Sequence, residues 1–472
     1  MAESALYPPT MTGGRRPDDH QGFPGDRERD GGLDERGVRS QHQRGVRGSR
    51  CDIGHAGVHA HGLSTPSWLI KRTGSHGVII VPRSLPSVTR PLTSIPRAAD
   101  RAKAYPYVHP CRSVPDFVLR CTQCGTTYPQ DYPWPVCERC GGLLEVEYDY
   151  STVRLPQDFE GRPVKQWKYA PLFPVSRRPV TVGEGGTRLK RISSSPDIYL
   201  KIEIDNPTKS FKDRGSSVEV TRALELGFDR LAVASTGNMA LSLAAYSEIA
   251  DMEAVTFVGS GANENKIDMI RNKGGRVVQV DGDFNDAVRK AEEYAKATGS
   301  FLAGDYAYRK EGQKGVFFEV IDQLGFEPPD YIFIPVGNGT LISAAHKASV
   351  ELRSLGLIDR LPRLIGVQAE GAAPLVEYVK SGKLRKVEVR TGADAIAVGY
   401  PMYAEQAKRA VEGTGGEVIT VSDGEMEAAA DEIFRRAGVC AELAGAAAYA
   451  AILKRGIGKD EVAVAIVSGG NI

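Results

Sequence analysis

The sequence predicts an α/β fold in which open, mostly parallel sheets are flanked by helices. From about Val180 onward, short runs of apolar and β-branched residues alternate with longer amphipathic stretches. Runs of this length are typical of buried parallel strands, and their alternation with helices is typical of sheets covered on both faces. Two of the runs end in turns rich in Gly, Asn, Ser and Thr, as strands that lead into helices often do.

Six runs are predicted to be strands: LAVAS at 231, AVTFVG at 254, RVVQV at 276, YIFIPVG at 331, LIGVQAE at 364 and VAVAIVSGG at 462. Between them, FNDAVRKAEEYAKAT and KGVFFEVIDQLG have the helical period. Asp283 is a candidate N-cap for the first of these helices, and Gly325 is a candidate stop for the second.

Residues 1–113 have a different composition from the rest. Arg, Gly, His, Ser and Pro recur there, and neither a helical nor a strand period persists. This predicts a disordered leader. Because no methionine lies between Met11 and Met239, we also hypothesise that the native protein starts near Val114 or Val118 and that the leader is an artificial extension.

The net charge of the chain indicates which kinds of molecule it can attract. A formal net charge of +1 offers no general attraction to nucleic acids or acidic membranes, so anions must bind at a local site. No apolar run approaches the roughly 20 residues that span a bilayer. We therefore expect a cytoplasmic protein with a small-molecule ligand and with neither a nucleic acid nor a membrane partner.

Four of the seven cysteines form two CxxC pairs separated by twelve residues: Cys121, Cys124, Cys137 and Cys140. This spacing predicts a tetrahedral zinc site in a small ribbon over residues 114–150, with a glycine after each pair to relieve the tight turns. Four thiolates leave no open position, so we expect a structural metal. The alternative is a ribbon that recognises nucleic acid or another protein.

Two loops are candidates for ligand binding because they follow predicted strands and precede predicted helices. They are STGN, Ser235–Asn238, and VGNGT, Val336–Thr340. Ligands of open α/β sheets collect at such loops, and glycine-rich turns at helix N-termini offer backbone N–H groups to a phosphate. Neither loop has the GxGxxG or GxxxxGK[ST] pattern, which argues against dinucleotide and nucleoside triphosphate ligands.

The order of several motifs resembles that of the fold-type II pyridoxal phosphate enzymes. These motifs are SFKDRG with Lys212, STGN, EGQK at 311, PVGNGT at 335, GVQAEGAAP at 366 and VSGGN at 467. The cysteine ribbon and VGEGGTRL at 182 are most similar to the threonine synthase family. The resemblance covers about Val114 to Ile472. It implies two sheets in a catalytic body over residues 151–472, made of two α/β subdomains.

The resemblance implies roles for individual residues around pyridoxal 5′-phosphate. Lys212 would bind the cofactor aldehyde covalently and transfer protons, which a lysine amine can do. Asn238 would bond the phenolic oxygen, and Ser468 would face the pyridine nitrogen. The phosphate would be held by the backbone of Gly337, Asn338, Gly339 and Thr340. Glu442 matches a position near the ring.

The resemblance also implies a substrate, O-phosphohomoserine, which a lyase of this type converts with water to threonine and phosphate. Ser235 and Thr236 would lie beside the substrate carboxylate. Arg309 matches an arginine that would bind the substrate phosphate, and Lys209, where the family tends to have glycine, would add a cation at the mouth of the site. We expect a homo-oligomer.

Two departures from the family pattern keep other functions open. AGDYAYR, with Asp305, replaces asparagines ahead of Arg309, and a carboxylate is unfavourable near a substrate phosphate. The terminal SGGN is more typical of threonine and serine dehydratases, which are the main alternative. A more remote alternative is a nucleic-acid-binding zinc-ribbon protein without catalysis, which would bind no cofactor and would release nucleic acid as salt is raised.

Overall fold

The computed structural model describes residues 116–471. The predicted leader over 1–113 and the hypothetical start at Val114 lie outside this range. The described residues contain thirteen strands: β1 (Phe117–Cys121), β2 (Thr127–Tyr128), β3 (Leu144–Tyr148), β4 (Leu189–Ser194), β5 (Asp197–Ile202), β6 (Arg230–Ala234), β7 (Glu253–Gly259), β8 (Arg276–Val280), β9 (Phe301–Leu302), β10 (Tyr331–Pro335), β11 (Arg363–Ala369), β12 (Glu417–Val421) and β13 (Val462–Val467).

Ten α-helices connect or cover these strands in the same part of the chain: α1 (Lys212–Glu225), α2 (Asn238–Ile249), α3 (Glu264–Arg271), α4 (Phe284–Thr298), α5 (Ala307–Gln323), α6 (Thr340–Ser354), α7 (Pro374–Ser381), α8 (Ala404–Gly413), α9 (Asp423–Ala437) and α10 (Leu443–Arg455). Among the helices described, none is long and apolar enough to cross a membrane.

Two open sheets form the body, which confirms the predicted fold class. The larger sheet has the order β12-β11-β10-β13-β5-β4, and only the edge strand β4 runs antiparallel to its neighbour. The smaller sheet, β8-β7-β6-β9, is parallel throughout. The six predicted strands are β6, β7, β8, β10, β11 and β13.

The centre of the larger sheet shows why a continuous apolar run became a strand. In β10, Ile332 and Ile334 belong to one buried cluster, whereas Tyr331 and Phe333 belong to another on the opposite face. Successive strand residues point to opposite faces, so a strand covered on both faces has no polar positions.

Helix ends follow the predicted caps in two cases. The Asp283 side chain accepts hydrogen bonds from the backbone N–H groups of Asn285 and Asp286 at the start of α4. Gly325, one residue after the C-cap of α5, has a φ of +70°, which glycine adopts without strain. α5 itself begins at Ala307, well before the predicted segment.

The ribbon is a three-stranded antiparallel sheet of order β2-β1-β3. Gly125 and Gly141, which follow the two cysteine pairs, have φ values of +72° and +73°, as expected for the predicted turns. Leu119 and Val146 of the ribbon lie in one apolar cluster with Val220 of α1 and Leu231 of β6. The ribbon therefore shares a core with the smaller sheet and the helices that cover it.

Candidate active site

The loop that presents Lys212 is hydrogen-bonded to the segment after β13. The Phe211 N–H donates to the Ser468 carbonyl at 3.0 Å, and the Gly470 N–H donates to the Lys209 carbonyl at 3.0 Å. Ser210 and Gly469 form a bridge between these two bonds. Two predicted site residues that are far apart in the sequence, Lys212 and Ser468, are thus brought together by backbone bonds.

Lys212 is the first residue of α1, and its side chain is 20% exposed. Its Nζ lies 3.7 Å from Asp305 Oδ1 and 4.9 Å from the centre of the Phe211 ring. Burial lowers the pKa of the Lys212 ammonium below its ordinary value, since a charge is less stable away from water. The amine is therefore easier to deprotonate than that of a surface lysine, which favours nucleophilic chemistry.

Asp213 stabilises the turn before α1. Its buried carboxylate accepts hydrogen bonds from the Thr208 backbone N–H at 2.7 Å, the Thr208 hydroxyl, and the Ser242 hydroxyl at 2.6 Å. Burial raises the pKa of Asp213 to about 6 even though these donors oppose the shift. The carboxylate therefore fixes the loop to α2 rather than facing the site.

The Arg214 side chain also stabilises this turn. Its fully buried guanidinium forms bidentate bonds to two carboxylates, reaching Glu203 at 2.6 and 2.8 Å and Glu319 at 2.8 Å on both oxygens. Glu319 also receives Lys201 Nζ at 2.8 Å. These ion pairs connect α1 with α5 and with the end of β5, and each of the four charged groups has a partner of opposite charge.

Asn238 stands at the first position of α2. Its side-chain nitrogen donates to Glu442 Oε1 at 3.0 Å, and its side-chain oxygen accepts from Asn471 at 2.8 Å. Burial raises the pKa of Glu442, although the bond from Asn238 partly offsets this. Within STGN, the Ser235 hydroxyl accepts from the Gly237 N–H at 3.3 Å, so Ser235 and Thr236 lead directly into Asn238.

The VGNGT loop forms a concave turn at the N-terminus of α6. Gly339 has a φ of +86°, and a Cβ on Gly337 would lie 3.0 Å from the Ala395 carbonyl oxygen. The Thr340 hydroxyl is buried and has no hydrogen-bond partner among the described residues. A phosphate would supply that partner and would also accept from the free N–H groups at the helix start, so this loop fits the phosphate of pyridoxal phosphate.

Arg309 lies behind Lys212 and not in the mouth of the site. Its side chain is fully buried, pairs with Glu219, and donates to the Gly304 and Lys212 carbonyls at 3.1 and 3.4 Å. This conformation exposes no guanidinium atom to a substrate.

Lys209 is exposed, with a φ of +64°. Glycine adopts that φ without strain, whereas a residue with a Cβ such as lysine does so less readily.

Asp305 completes the site, although in the sequence it is recognisable only as an acidic residue ahead of Arg309. Its Oδ2 accepts from the Asn338 side-chain nitrogen at 2.8 Å, and its Oδ1 faces Lys212. Burial alone would raise its pKa, but the Lys212 ammonium and the Asn338 amide lower the pKa below its ordinary value. In the sequence, only its position four residues before Arg309 indicates that Asp305 lies near the site.

The four cysteines of the ribbon converge. All four sulfur atoms lie within 4.8 Å of one another, with Cys121 to Cys140 at 3.5 Å and Cys124 to Cys137 at 3.6 Å. Tetrahedral zinc with bonds of ~2.3 Å would place its sulfur ligands roughly 3.8 Å apart. The donor set and its spacing therefore fit a zinc ion.

Comparisons with known proteins agree on one family. Residues 180–469 match the family model described as "Pyridoxal-phosphate dependent enzyme". A threonine synthase of Methanosarcina acetivorans is 38% identical over 367 residues, covering 74% of this chain and 91% of the relative. The threonine synthase of Methanocaldococcus jannaschii is 37% identical over 370 residues, again covering 74% and 91%.

A solved structure is also similar. Isoform 2 of threonine deaminase from Solanum lycopersicum, in its processed form, superposes with a TM-score of 0.54 at 26% identity, covering 61% of this chain and 84% of its own. The relatives of higher identity and coverage are the threonine synthases. The chain belongs to the pyridoxal phosphate-dependent enzyme family and, within it, to the threonine synthase family.

Proposed function

We propose that this protein converts O-phosphohomoserine and water to threonine and phosphate, as a pyridoxal phosphate-dependent lyase. One observation carries the proposal: the Lys212 amine lies 3.7 Å from Asp305 Oδ1, and Asp305 Oδ2 accepts a hydrogen bond from Asn338 of the VGNGT loop. An amine beside a loop that can bind a phosphate is what a phosphorylated aldehyde cofactor needs. Membership of the threonine synthase family supports the choice of substrate.

The cofactor contacts follow from the positions of the protein groups. We assign the covalent bond to Lys212, the phosphate to the backbone of Gly337–Thr340 and to the Thr340 hydroxyl, and the phenolic oxygen to Asn238. When bound, pyridoxal phosphate supplies an electron-withdrawing ring that makes the protons beside the substrate amine acidic. Lys212, displaced by the substrate amine, then moves protons at the α and β carbons.

We assign Ser468 to the pyridine nitrogen. The residue is buried at the end of β13, beside the Lys212 loop. A hydroxyl cannot keep a ring nitrogen protonated as a carboxylate would, so the ring withdraws fewer electrons. This suits a reaction in which the departing γ-phosphate accepts electrons, so that the ring has less negative charge to stabilise.

We assign the substrate carboxylate to Ser235 and Thr236 in the turn before α2. The γ-phosphate needs a cation of its own, apart from the cofactor cradle, and the exposed Lys209 at the loop edge can provide one. Arg309 contributes differently from the sequence expectation. Because its guanidinium is bonded to Glu219 and to the Lys212 carbonyl, we propose that it positions Lys212.

We also propose that zinc occupies the four-cysteine cluster and stabilises the ribbon without taking part in catalysis. Four thiolate ligands would leave no coordination position for substrate. The purified chain should hold one zinc ion, measured by elemental analysis, and Cys121→Ser together with Cys137→Ser should abolish it. Retention of a full equivalent in that variant would contradict this site.

For the chain as a whole, we propose a ribbon over 114–150, a catalytic body over 151–472 made of two subdomains, assembly as a homo-oligomer, and a place in the cytoplasm. The homo-oligomer follows from the family, whose members are often oligomeric. Size-exclusion chromatography with light scattering tests the assembly, and a monomer mass would contradict it.

A second candidate is the elimination of the β-hydroxyl of threonine or serine to give a 2-oxo acid and ammonia. Ser468 within SGGN and the likeness to a threonine deaminase favour it. Assays should therefore supply O-phosphohomoserine and threonine separately, measuring phosphate, threonine and 2-oxobutanoate. We expect equal amounts of phosphate and threonine from the first substrate. Oxo acid from threonine, without phosphate release from O-phosphohomoserine, would overturn the proposal in favour of the dehydratase.

A further inference from the structure

Asp305 is a buried carboxylate at the centre of the site that has no assigned role. It lies between β9 and α5, with 7% of its side chain exposed. A buried carboxylate is stable only when it is paired or hydrogen-bonded. The two oxygens of Asp305 have different partners, one a neutral amide and the other a charged lysine.

One oxygen of the Asp305 carboxylate is hydrogen-bonded to a side chain, and the other faces the Lys212 ammonium. Oδ2 accepts from the Asn338 side-chain nitrogen at 2.8 Å, and Asn338 belongs to the loop that fits the cofactor phosphate. Oδ1 is buried without a hydrogen-bond partner within the described part of the chain, and it lies 3.7 Å from Lys212 Nζ. Asp305 thus connects the reactive lysine to the phosphate loop.

The other groups around Lys212 do not replace this contact. Arg309 on α5 faces the lysine with a positive charge, and Glu442, just before α10, faces it with a carboxylate that is already bonded to Asn238. The Phe211 ring supplies only a weak cation–π contact at 4.9 Å. Asp305 is the nearest carboxylate to the ammonium among the described residues.

We propose that Asp305 is a positioning residue that holds the Lys212 ammonium in the cofactor-free site and, through Asn338, sets its distance from the phosphate loop. This rests on the proposed role of Lys212 as the cofactor lysine. Before cofactor arrives, the ion pair keeps the lysine charged and oriented. It also sets the pH at which the lysine becomes a neutral, reactive amine.

Asp305→Asn tests this because it removes the charge and keeps the shape. The full-length chain, stripped of cofactor, is treated with acetic anhydride between pH 6 and pH 10, and modification of Lys212 is followed by peptide mass spectrometry. An opposite charge within ~4–6 Å shifts a pKa by about 1–3 units. We therefore expect the midpoint for Lys212 to fall by about 1 unit or more in the variant. An unchanged midpoint would overturn the proposal.

Asp322→Asn is a matched control, since the Asp322 side chain is only 8% exposed and pairs with a lysine, 2.6 Å from Lys168, but lies away from Lys212. It should leave the Lys212 midpoint unchanged. If Asp305→Asn does not fold, Asp305→Ser also removes the charge and should shift the midpoint in the same direction, and no shift there would also overturn the proposal.

A separate measurement distinguishes this inference from the proposed function. Wild-type protein mixed with pyridoxal phosphate should develop the absorption band of a lysine-bound cofactor. If the wild type shows no band, the proposed function fails. If it shows the band while Asp305→Asn titrates like the wild type, only the role of Asp305 fails.

Discussion

The Asn238 side-chain nitrogen donates to Glu442 Oε1 at 3.0 Å, joining the start of α2 to the residue that precedes α10. Asn238→Ala would leave the partly buried Glu442 without this donor and would remove the proposed contact to the cofactor. A lost hydrogen bond of this kind costs about 1–2 kcal/mol, so cofactor affinity should fall roughly tenfold or more. Titration of absorbance with pyridoxal phosphate checks this, and wild-type affinity in the variant would contradict it.

Lys212→Ala should abolish the absorption band of lysine-bound cofactor and all turnover, because it removes the amine to which the covalent bond is assigned. The control is Lys290→Ala, which removes an exposed lysine paired with Glu293 on α4 and should retain the band and the activity. Spectra of both variants after addition of pyridoxal phosphate give the answer. A band that persists in Lys212→Ala would place the cofactor on another residue.

Lys209→Gly should have two separable effects. Relief of the left-handed backbone should stabilise the protein by roughly 0.5–1 kcal/mol, and loss of the exposed cation should raise the KM for a phosphorylated substrate about fivefold. Lys209→Ala is the matched control, since it removes the charge but keeps the strained φ. It should raise KM without raising the melting temperature. An unchanged KM in both variants would exclude contact with substrate.

Arg214→Met should destabilise the protein strongly. It leaves the buried carboxylates of Glu203 and Glu319 short of a partner, and breaking a buried pair costs about 3–5 kcal/mol. The comparison is Arg289→Met, in which an exposed arginine that pairs with Asp286 is replaced and the cost should be below about 1 kcal/mol. Thermal denaturation of both variants is the measurement. Equal melting temperatures would show that the buried ion pairs of Arg214 with Glu203 and Glu319 contribute no more to stability than the exposed pair.

Asp213 should give stability an unusual pH dependence. Burial raises its pKa to about 6 in the folded state, from an ordinary value of 3.8, so the folded protein holds this proton more tightly than the unfolded chain. The stabilisation is complete below about pH 4 and is lost as pH rises through about 6, a change of about 3 kcal/mol. The melting temperature of the wild type minus that of Asp213→Asn should therefore fall between pH 4 and pH 7. A constant difference would contradict the shift.

Five of the six predicted strands, β6, β7, β10, β11 and β13, are largely buried. The sixth, β8, is an edge strand without a fully buried residue, and its β-branched run RVVQV was the signal for it. β10 and β13 have uninterrupted apolar runs because a core covers each side of the larger sheet. β4 was missed because it is an antiparallel edge strand, LKRISS, with none of its residues fully buried. β9 has only two residues, too few for any period to appear.

The predicted limits of α5 were wrong for a different reason. Its first turns, AYRKEGQ, look polar, but every residue from Ala307 to Ile321 is buried. The charges there are neutralised by partners from distant segments, such as Lys314 with Glu351 and Lys310 with Glu145. A pattern of polar and apolar residues cannot reveal these pairings. The same limit applies to Arg309, whose partner Glu219 is fixed only by the packing of α1 on α5.

The hydrogen bonds between the Lys212 loop and residues 468–470 also set an order of events during synthesis. The Asn471 side chain adds a bond to the Thr208 carbonyl at 2.8 Å, across 263 positions of sequence. A ribosome-bound chain can complete its ribbon and its smaller sheet long before it reaches Asn471, but it cannot close the lysine loop. Nascent polypeptides should therefore remain catalytically silent until translation has passed that residue.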